Sequence, residues 1–245
     1  MYNYKLTIQY DGSRYKGWQR LGNAENTIQD KIEQVLSKML GQEIEIVGCS
    51  RTDAGVHALG QIANFKADQA LEPQEVKAYL NHYLPEDISI IEVAMVNENF
   101  HARYLCKDKT YLYKIWNREY SHPFSRKYSM HVKDTLDIEK MKVASRNFVG
   151  KHDFTAYSNA KSKKKSTIRE IFNIDIQEED GFIELRIHGD GFLYNMVRWI
   201  VGALIEVGLG KMESSVIALA MEAKERGKAG DLAEAGGLFL EKVTY

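Results

Sequence analysis

The sequence predicts an α+β fold, a mostly antiparallel sheet covered by helices. Three observations predict it. Several segments alternate apolar and polar residues with the period of a strand. Others repeat their apolar residues with the period of a helix. The order strand, helix, strand, strand, helix, strand runs through the first half and returns loosely in the second.

The first strand is "YKLTIQY", with Tyr4, Leu6, Ile8 and Tyr10 on one face and Lys5, Thr7 and Gln9 on the other. In "TIQDKIEQVLSKML" the residues Ile28, Ile32, Val35, Leu36 and Met39 form a helical stripe. Asn26 or Thr27 is placed to cap that helix, and Gly41 to stop it. The strand "EIEIVG" leads into a charged loop and then into the strand "GQIANFKA". "PQEVKAYLNHYL" is a second helix with Pro73 in its first turn, and "ISIIEVAMV" is a closing strand. This is the ferredoxin-like β-α-β-β-α-β pattern, and it sets an expected N-terminal domain of residues 1–102.

Residues 103–245 form the expected second domain, also ferredoxin-like or RRM-like in plan. "KTYLYKIW" alternates as a strand, "IEKMKVASRNFVG" is a helix ended by Gly150, and "REIFNIDIQ" pairs with "GFIELRIHG" across the turn "EEDG". "FLYNMVRWIVGALIEVG" is a helix apolar nearly all round, which predicts burial. "SSVIALAMEAKERG" is a further helix and "GLFLEKVTY" a final strand.

With 44% hydrophobic and 27% charged residues, the 245-residue chain has the balance of a soluble globular protein. No apolar run is long enough to span a membrane, and "MYNYKLTIQYDG" has neither a basic nor an apolar leader region. Cys49 and Cys106 have neither metal-ligand spacing nor a disulfide framework, so a reduced, cytoplasmic protein is expected. The net charge of −1 conceals an uneven distribution. Residues 103–170 hold 17 basic and 7 acidic side chains, whereas 1–102 hold 9 and 14, and 171–245 hold 7 and 13. A basic middle is the footprint of a polyanion site.

The loop in "GCSRTDAGVHALGQ" carries Arg51, Asp53 and His57 between two paired strands. By itself, Asp53 reads as an Asx-turn residue and Arg51 as its surface partner. Three other stretches change that reading. They are "YDGSRYKGWQ" with the following "NTIQDKIEQVL", "FHARYLCKDKTYLY", and "GDGFLYNMVRWIVGALIEVG". With "SRTDAGVHALGQ" they make four blocks in order along almost the whole chain, and together they resemble the TruA family of tRNA pseudouridine synthases.

The resemblance implies a catalytic aspartate at Asp53, a substrate-contacting active-site tyrosine at Tyr111, and at Arg198 an arginine paired with the aspartate. It implies a cofactor-free, metal-free isomerase, a homodimer acting on uridines 38 to 40 of the tRNA anticodon stem-loop. Two positions depart from the family pattern: Ser50 where Gly is usual before the Arg-Thr-Asp, and Glu234 where Pro is usual. Neither touches the residues that carry the chemistry.

The chemistry asks for such residues. Pseudouridine formation breaks the C1′–N1 bond, turns the freed uracil and rejoins it through C5. A carboxylate serves either by attacking C1′ or by taking the C2′ proton. A carboxylate in a closed site needs a cation beside it, because desolvation otherwise favours its neutral form. Tyr111 and Tyr113 share a strand face, where Tyr111 offers a ring for stacking on the base and a hydroxyl for the C5 proton. Arg51 is a candidate for the RNA backbone or for the space left by an extruded nucleotide. Lys161, Lys163, Lys164 and Lys165 are candidates for clamping phosphates. His57 and Cys49 are read as structural. Two other classes fit less well. A non-catalytic RNA-binding protein of RRM-like architecture needs no such carboxylate, and a glycoside or nucleoside hydrolase needs a second one.

Overall fold

The computed structural model describes residues 1–20, 22, 26–159, 166–225, 227 and 230–245. It is α+β, and its strands pair mostly antiparallel. The chain folds as two compact units, Met1–Lys107 with Phe239–Tyr245, and Asp108–Leu238. These units follow strand pairing and not chain halves. The last seven residues rejoin the first unit, so its limits differ from 1–102.

In the first unit β1 (Tyr2–Tyr10) lies between β3 (His57–Ala67) and β4 (Ile88–Val96), antiparallel to both. The expected inner face of β1 is buried: Tyr4, Leu6 and Ile8 are inaccessible to solvent. Each such burial stabilises the unit by about 1.5–3 kcal/mol. α1 (Ile28–Leu40) covers this sheet with Ile28, Ile32 and Leu36. Thr27 caps it, its hydroxyl accepting from the Asp30 amide at 3.3 Å, and Gly41 ends it at φ +67°. α2 (Pro73–Tyr83) has Pro73 in its first turn and buries Val76 and Leu80.

The expected strand "EIEIVG" shrinks to β2 (Val47–Gly48), paired with β3 at Asn64 and Ala63. Ile44 and Ile46 are buried as a strand's would be. Their amides, however, donate to side chains of α1, Ile44 to Ser37 Oγ at 2.9 Å and Ile46 to Glu33 Oε1 at 2.9 Å. The helix supplies the acceptors that a neighbouring strand would have given.

The second unit is built on β5 (Asp108–Trp116). The short β6 (Met130–His131) runs parallel to it. α3 (Ile138–Ser145) ends in a single 3-10 turn, after which Gly150, at φ +104°, opens β7 (Gly150–Asp153). β8 (Ile168–Glu179) and β9 (Phe182–Gly189) form the expected hairpin, and the sheet order is β5-β9-β8-β7. The hairpin turns on Asp180 at φ +50° and Gly181 at φ +87°, the two left-handed residues that a tight hairpin matching strand twist requires.

α4 (Met196–Gly208) starts four residues later than the apolar pattern suggests, because Asn195 is left-handed at φ +61°. It is buried nearly all round, as expected. α5 (Ser215–Ala223) follows. β10 (Leu238–Thr244) then returns to the first unit, with Phe239 and Leu240 parallel to His57 and Ala58 of β3.

Candidate active site

The loop between β2 and β3 belongs to the first unit. Its entry is fastened by a side chain that imitates a strand. Gln61, fully buried, accepts from the Ser50 amide at 3.2 Å and donates to the Ser50 carbonyl at 2.8 Å. Cys49 continues the ladder with its amide on the Ile62 carbonyl at 2.7 Å. The loop then leaves the sheet and turns sharply, the Val56 amide donating to the Asp53 carbonyl at 3.1 Å and Gly55 adopting φ +79°. The bland reading of Asp53 as a turn residue is therefore accurate for its backbone. Its side chain is half-buried and Arg51 is exposed.

The segment Tyr10–Trp18 straps this loop from outside. The Tyr10 hydroxyl lies 2.8 Å from Thr52 Oγ1, and the Trp18 amide donates to the Thr52 carbonyl at 3.0 Å. The Gly12 amide donates to His57 Nδ1 at 3.1 Å, and His57 itself is buried, its ring stacked on Phe239. The contact is too close for side chains. A Cβ on Gly12 would lie 1.9 Å from the Val56 carbonyl oxygen, and one on Gly17 would lie 2.6 Å from the Thr52 carbonyl oxygen. The glycines of "YDGSRYKGW" thus let one backbone lie directly against the residues on either side of Asp53.

Tyr111 and Arg198 belong to the second unit. Tyr111 stands on β5 opposite Ile187 of β9, buried, with its ring edge-on to Phe192 at 5.0 Å. Tyr113 is fully buried, and its hydroxyl donates to the Glu234 carbonyl at 2.8 Å. Burial pushes the Tyr113 phenol well above its usual range; the acidic Glu234 adds to this, and the nearby Arg198 charge opposes it. Arg198 lies in the first turn of α4, where its Nε donates to the Ala233 carbonyl at 2.7 Å and its Nη1 to Asn195 Oδ1 at 3.4 Å. The Ala233 amide in turn donates to the Arg198 carbonyl at 3.2 Å. Gly202, one helical turn further on, permits this clasp: a Cβ there would lie 1.7 Å from the Asp231 carbonyl oxygen.

The candidate lysines Lys161, Lys163, Lys164 and Lys165 lie outside the described residues. One residue that the sequence reading passed over is Arg103, whose Nη2 donates to the Gly48 carbonyl at 3.2 Å, at the entry to the Asp53 loop. It stood in plain view inside "FHARYLCKDKTYLY". What the string did not disclose is that the chain turns there and points it back at the loop.

The family and sequence comparisons with known proteins agree with each other. A family profile described as tRNA pseudouridine synthase matches residues 6–105 and 144–245. The curated "tRNA pseudouridine synthase A 2" of Bacillus cereus is 62% identical over 245 residues, covering 100% of both chains. A protein of the same name from Clostridium perfringens is 47% identical over 247 residues, again covering 100% of both. Among solved structures, a Cbf5-Nop10-Gar1 complex matches with a TM-score of 0.40 at 13% identity. It covers 98% of this chain and 48% of that one, a likeness too loose to carry detail. A full-length match at this identity leaves no part of the chain outside the likeness, and the chain belongs to the TruA family of tRNA pseudouridine synthases, which are isomerases.

Proposed function

We propose that this protein converts uridine to pseudouridine at positions 38 to 40 of the tRNA anticodon stem-loop, as a cytoplasmic homodimer, with Asp53 as its catalytic carboxylate. The observation that carries the reading is the construction of the Asp53 loop. Gln61 fixes one end, the Tyr10–Trp18 strap holds the flanks, and the tight turn at Gly55 closes the other end. A surface turn needs no such bracing, whereas a carboxylate that must meet one atom of a bound nucleotide does.

In this reading the carboxylate acts at C1′ or at C2′, and uracil leaves through N1. The base turns while bound, and C5 bonds to C1′ as the carboxylate leaves C1′ or returns its proton to C2′; the C5 proton then departs while N1 takes one up. Bonds break and form within a single nucleotide, so the net reaction calls for no redox partner or group carrier. Tyr111 takes the stacking and C5-proton role, and Arg198 supplies the charge that keeps the carboxylate ionised. Arg51, Lys161, Lys163, Lys164 and Lys165 hold the RNA. Backbone contacts of this kind suit a substrate class of differing sequences, since A-form RNA is read by shape and phosphates.

The test is base-resolution pseudouridine mapping of unmodified tRNA and of isolated anticodon stem-loops after incubation with purified protein. Pseudouridine at 38, 39 or 40 in both substrates is expected. Modification elsewhere alone overturns the positional reading, and none at all overturns the activity.

A further inference from the structure

In the second unit, the loop between β5 and β6 is tied to itself and to both strands. The Trp116 indole donates to the Tyr120 carbonyl at 2.7 Å, and His131 Nε2 donates to the Arg118 carbonyl at 2.8 Å. The Ser125 amide donates both to the His122 carbonyl and to His122 Nδ1, each at 3.2 Å. The Ser125 carbonyl accepts from the Tyr128 amide at 2.7 Å and from the Ser129 hydroxyl at 3.0 Å. Pro123 fixes one more backbone angle between these bonds.

This braced loop holds aromatic rings in water. Phe124 is 91% exposed, more than any other large hydrophobic side chain among the described residues, and Tyr120 is 76% exposed. A ring cluster adjoins them. Trp116 lies 4.8 Å from Phe182 and 4.9 Å from His122, and the His122 ring is 6.3 Å from Phe124. Folding normally takes such rings out of solvent, so a cluster that displays two of them marks a contact surface.

Charge says what covers it. Residues 118–127 hold Arg118, Arg126 and Lys127 against Glu119 alone. Arg118 sits 6.0 Å from the centre of the Trp116 ring, with Glu178 of β8 at 3.7 Å. Arg126 donates to the Pro123 carbonyl at 2.6 Å, which sets its guanidinium beside the residue preceding Phe124. Displayed rings interleaved with cations suit a nucleic-acid strand, whose bases stack and whose phosphates pair with the arginines. A second copy of the chain suits the surface less, because a two-fold contact sets the same cations against each other. The base must be unpaired, since a base inside a duplex keeps its faces on its neighbours. Nor is it the target base. Trp116 lies roughly 17 Å along β5 from Tyr111, and on the opposite face of that strand.

We infer that Phe124 and Tyr120, flanked by Arg118 and Arg126, form a stacking platform for an unpaired nucleotide of the tRNA, away from the uridine being isomerised. The inference rests on the tRNA-uridine reading above. It adds a substrate contact that involves neither the Asp53 loop nor Tyr111.

The experiment measures binding of intact tRNA by the parent, Phe124→Ala and Phe124→Trp. It is repeated with tRNAs that lack one base, at each unpaired position in turn. Because Phe124 is displayed, both variants should melt at the parent's temperature. Phe124→Ala should bind ordinary tRNA about tenfold more weakly. The parent should lose a similar factor at one abasic position, to which Phe124→Ala should be indifferent. Phe124→Trp should keep the parent's affinity. The fluorescence that its indole adds to the parent's should be quenched by ordinary tRNA, but not by tRNA lacking that base.

If Phe124→Ala binds every tRNA like the parent, the platform does not exist. If Phe124→Ala sediments at a smaller mass than the parent, and tRNA affinity falls only as subunits separate, the patch joins two copies of the chain. That result also overturns the inference. Pseudouridine mapping with the parent reads the underlying activity separately, so loss of the one is not mistaken for loss of the other.

Discussion

At Asp53 the backbone and the side chain answer different questions. The Asp53 carbonyl closes a turn, a role that any turn-forming residue fills. Replacing Asp53 with Asn keeps that role and removes the charge, the nucleophilicity and most of the basicity. We expect Asp53→Asn to fold and to bind an anticodon stem-loop like the parent, while single-turnover conversion falls by at least about 10³-fold. Substantial conversion by the variant, once mass spectrometry has excluded deamidation to Asp, removes Asp53 from the mechanism. Tyr111→Phe separates ring from hydroxyl in the same way. The ring packs against Phe192, and a Phe retains that contact and any stacking, which is worth about 1–3 kcal/mol per base. RNA affinity should be kept and product formation slowed by about 10²-fold. Equal rates would leave Tyr111 only a stacking role. Asp53, Tyr111 and Arg198 are proposed as site residues because their residue types sit inside long matching blocks. Arg103 was not legible in the string, since its place depends on a turn that aims it at the Gly48 carbonyl.

Among the elements, those with a strong period were read correctly and those held by side chains were not. β1, α1, α2 and the β8–β9 hairpin follow from alternation, caps and turn residues visible in the string. The segment before β2 lost its strand character because Ser37 and Glu33 of α1 take its amides, a tertiary contact that no local pattern encodes. The strap offers an element-level prediction. Gly12→Ala forces a methyl group to within 1.9 Å of the Val56 carbonyl oxygen unless strap and loop separate. We expect a loss of about 1–3 kcal/mol in unfolding free energy by denaturant titration. A fall in turnover should accompany it, because the displaced backbone carries Asp53. Unchanged stability and turnover would show that the strap yields without moving the loop.

The end of β7 makes a second element-level case. Burial alone would raise the Asp153 carboxyl, but hydrogen bonds from Lys224, Thr155 and Thr167 outweigh it and hold the group well below the usual carboxylate range. The Thr155 and Thr167 hydroxyls each lie 2.7 Å from Asp153 Oδ1. A depressed carboxyl stabilises the fold above its unfolded pKa, and that contribution disappears as pH falls through the folded value. Asp153→Ala should therefore destabilise the protein by about 1–2 kcal/mol at pH 7. The gap from the parent should hold down to about pH 4 and close below it. A gap that persists unchanged into strong acid would mean packing, not charge, explains the effect.

On the scale of the whole chain, charge and length argue for a partner. The basic side chains concentrate in residues 103–170, while the flanking stretches are acidic, so a near-neutral chain is expected to present its cationic surface mainly from one stretch. The course of the last strand back to the first unit was not legible, because "GLFLEKVTY" alternates equally well for either unit. A tRNA presents phosphates over a span much longer than the anticodon arm, and a restricted cationic surface on one chain holds few of them. A second copy related by a two-fold axis doubles that surface without new sequence, and cyclic dimers are the commonest closed assembly. We therefore expect sedimentation equilibrium to give twice the 28.1 kDa chain mass at the protein concentrations where turnover is measured. Dilution into the dissociated range should weaken binding of intact tRNA more than binding of the isolated stem-loop, since the shorter RNA asks less of a second subunit. A species of single-chain mass with full activity on intact tRNA defeats this expectation, and the single chain must then carry the whole footprint itself.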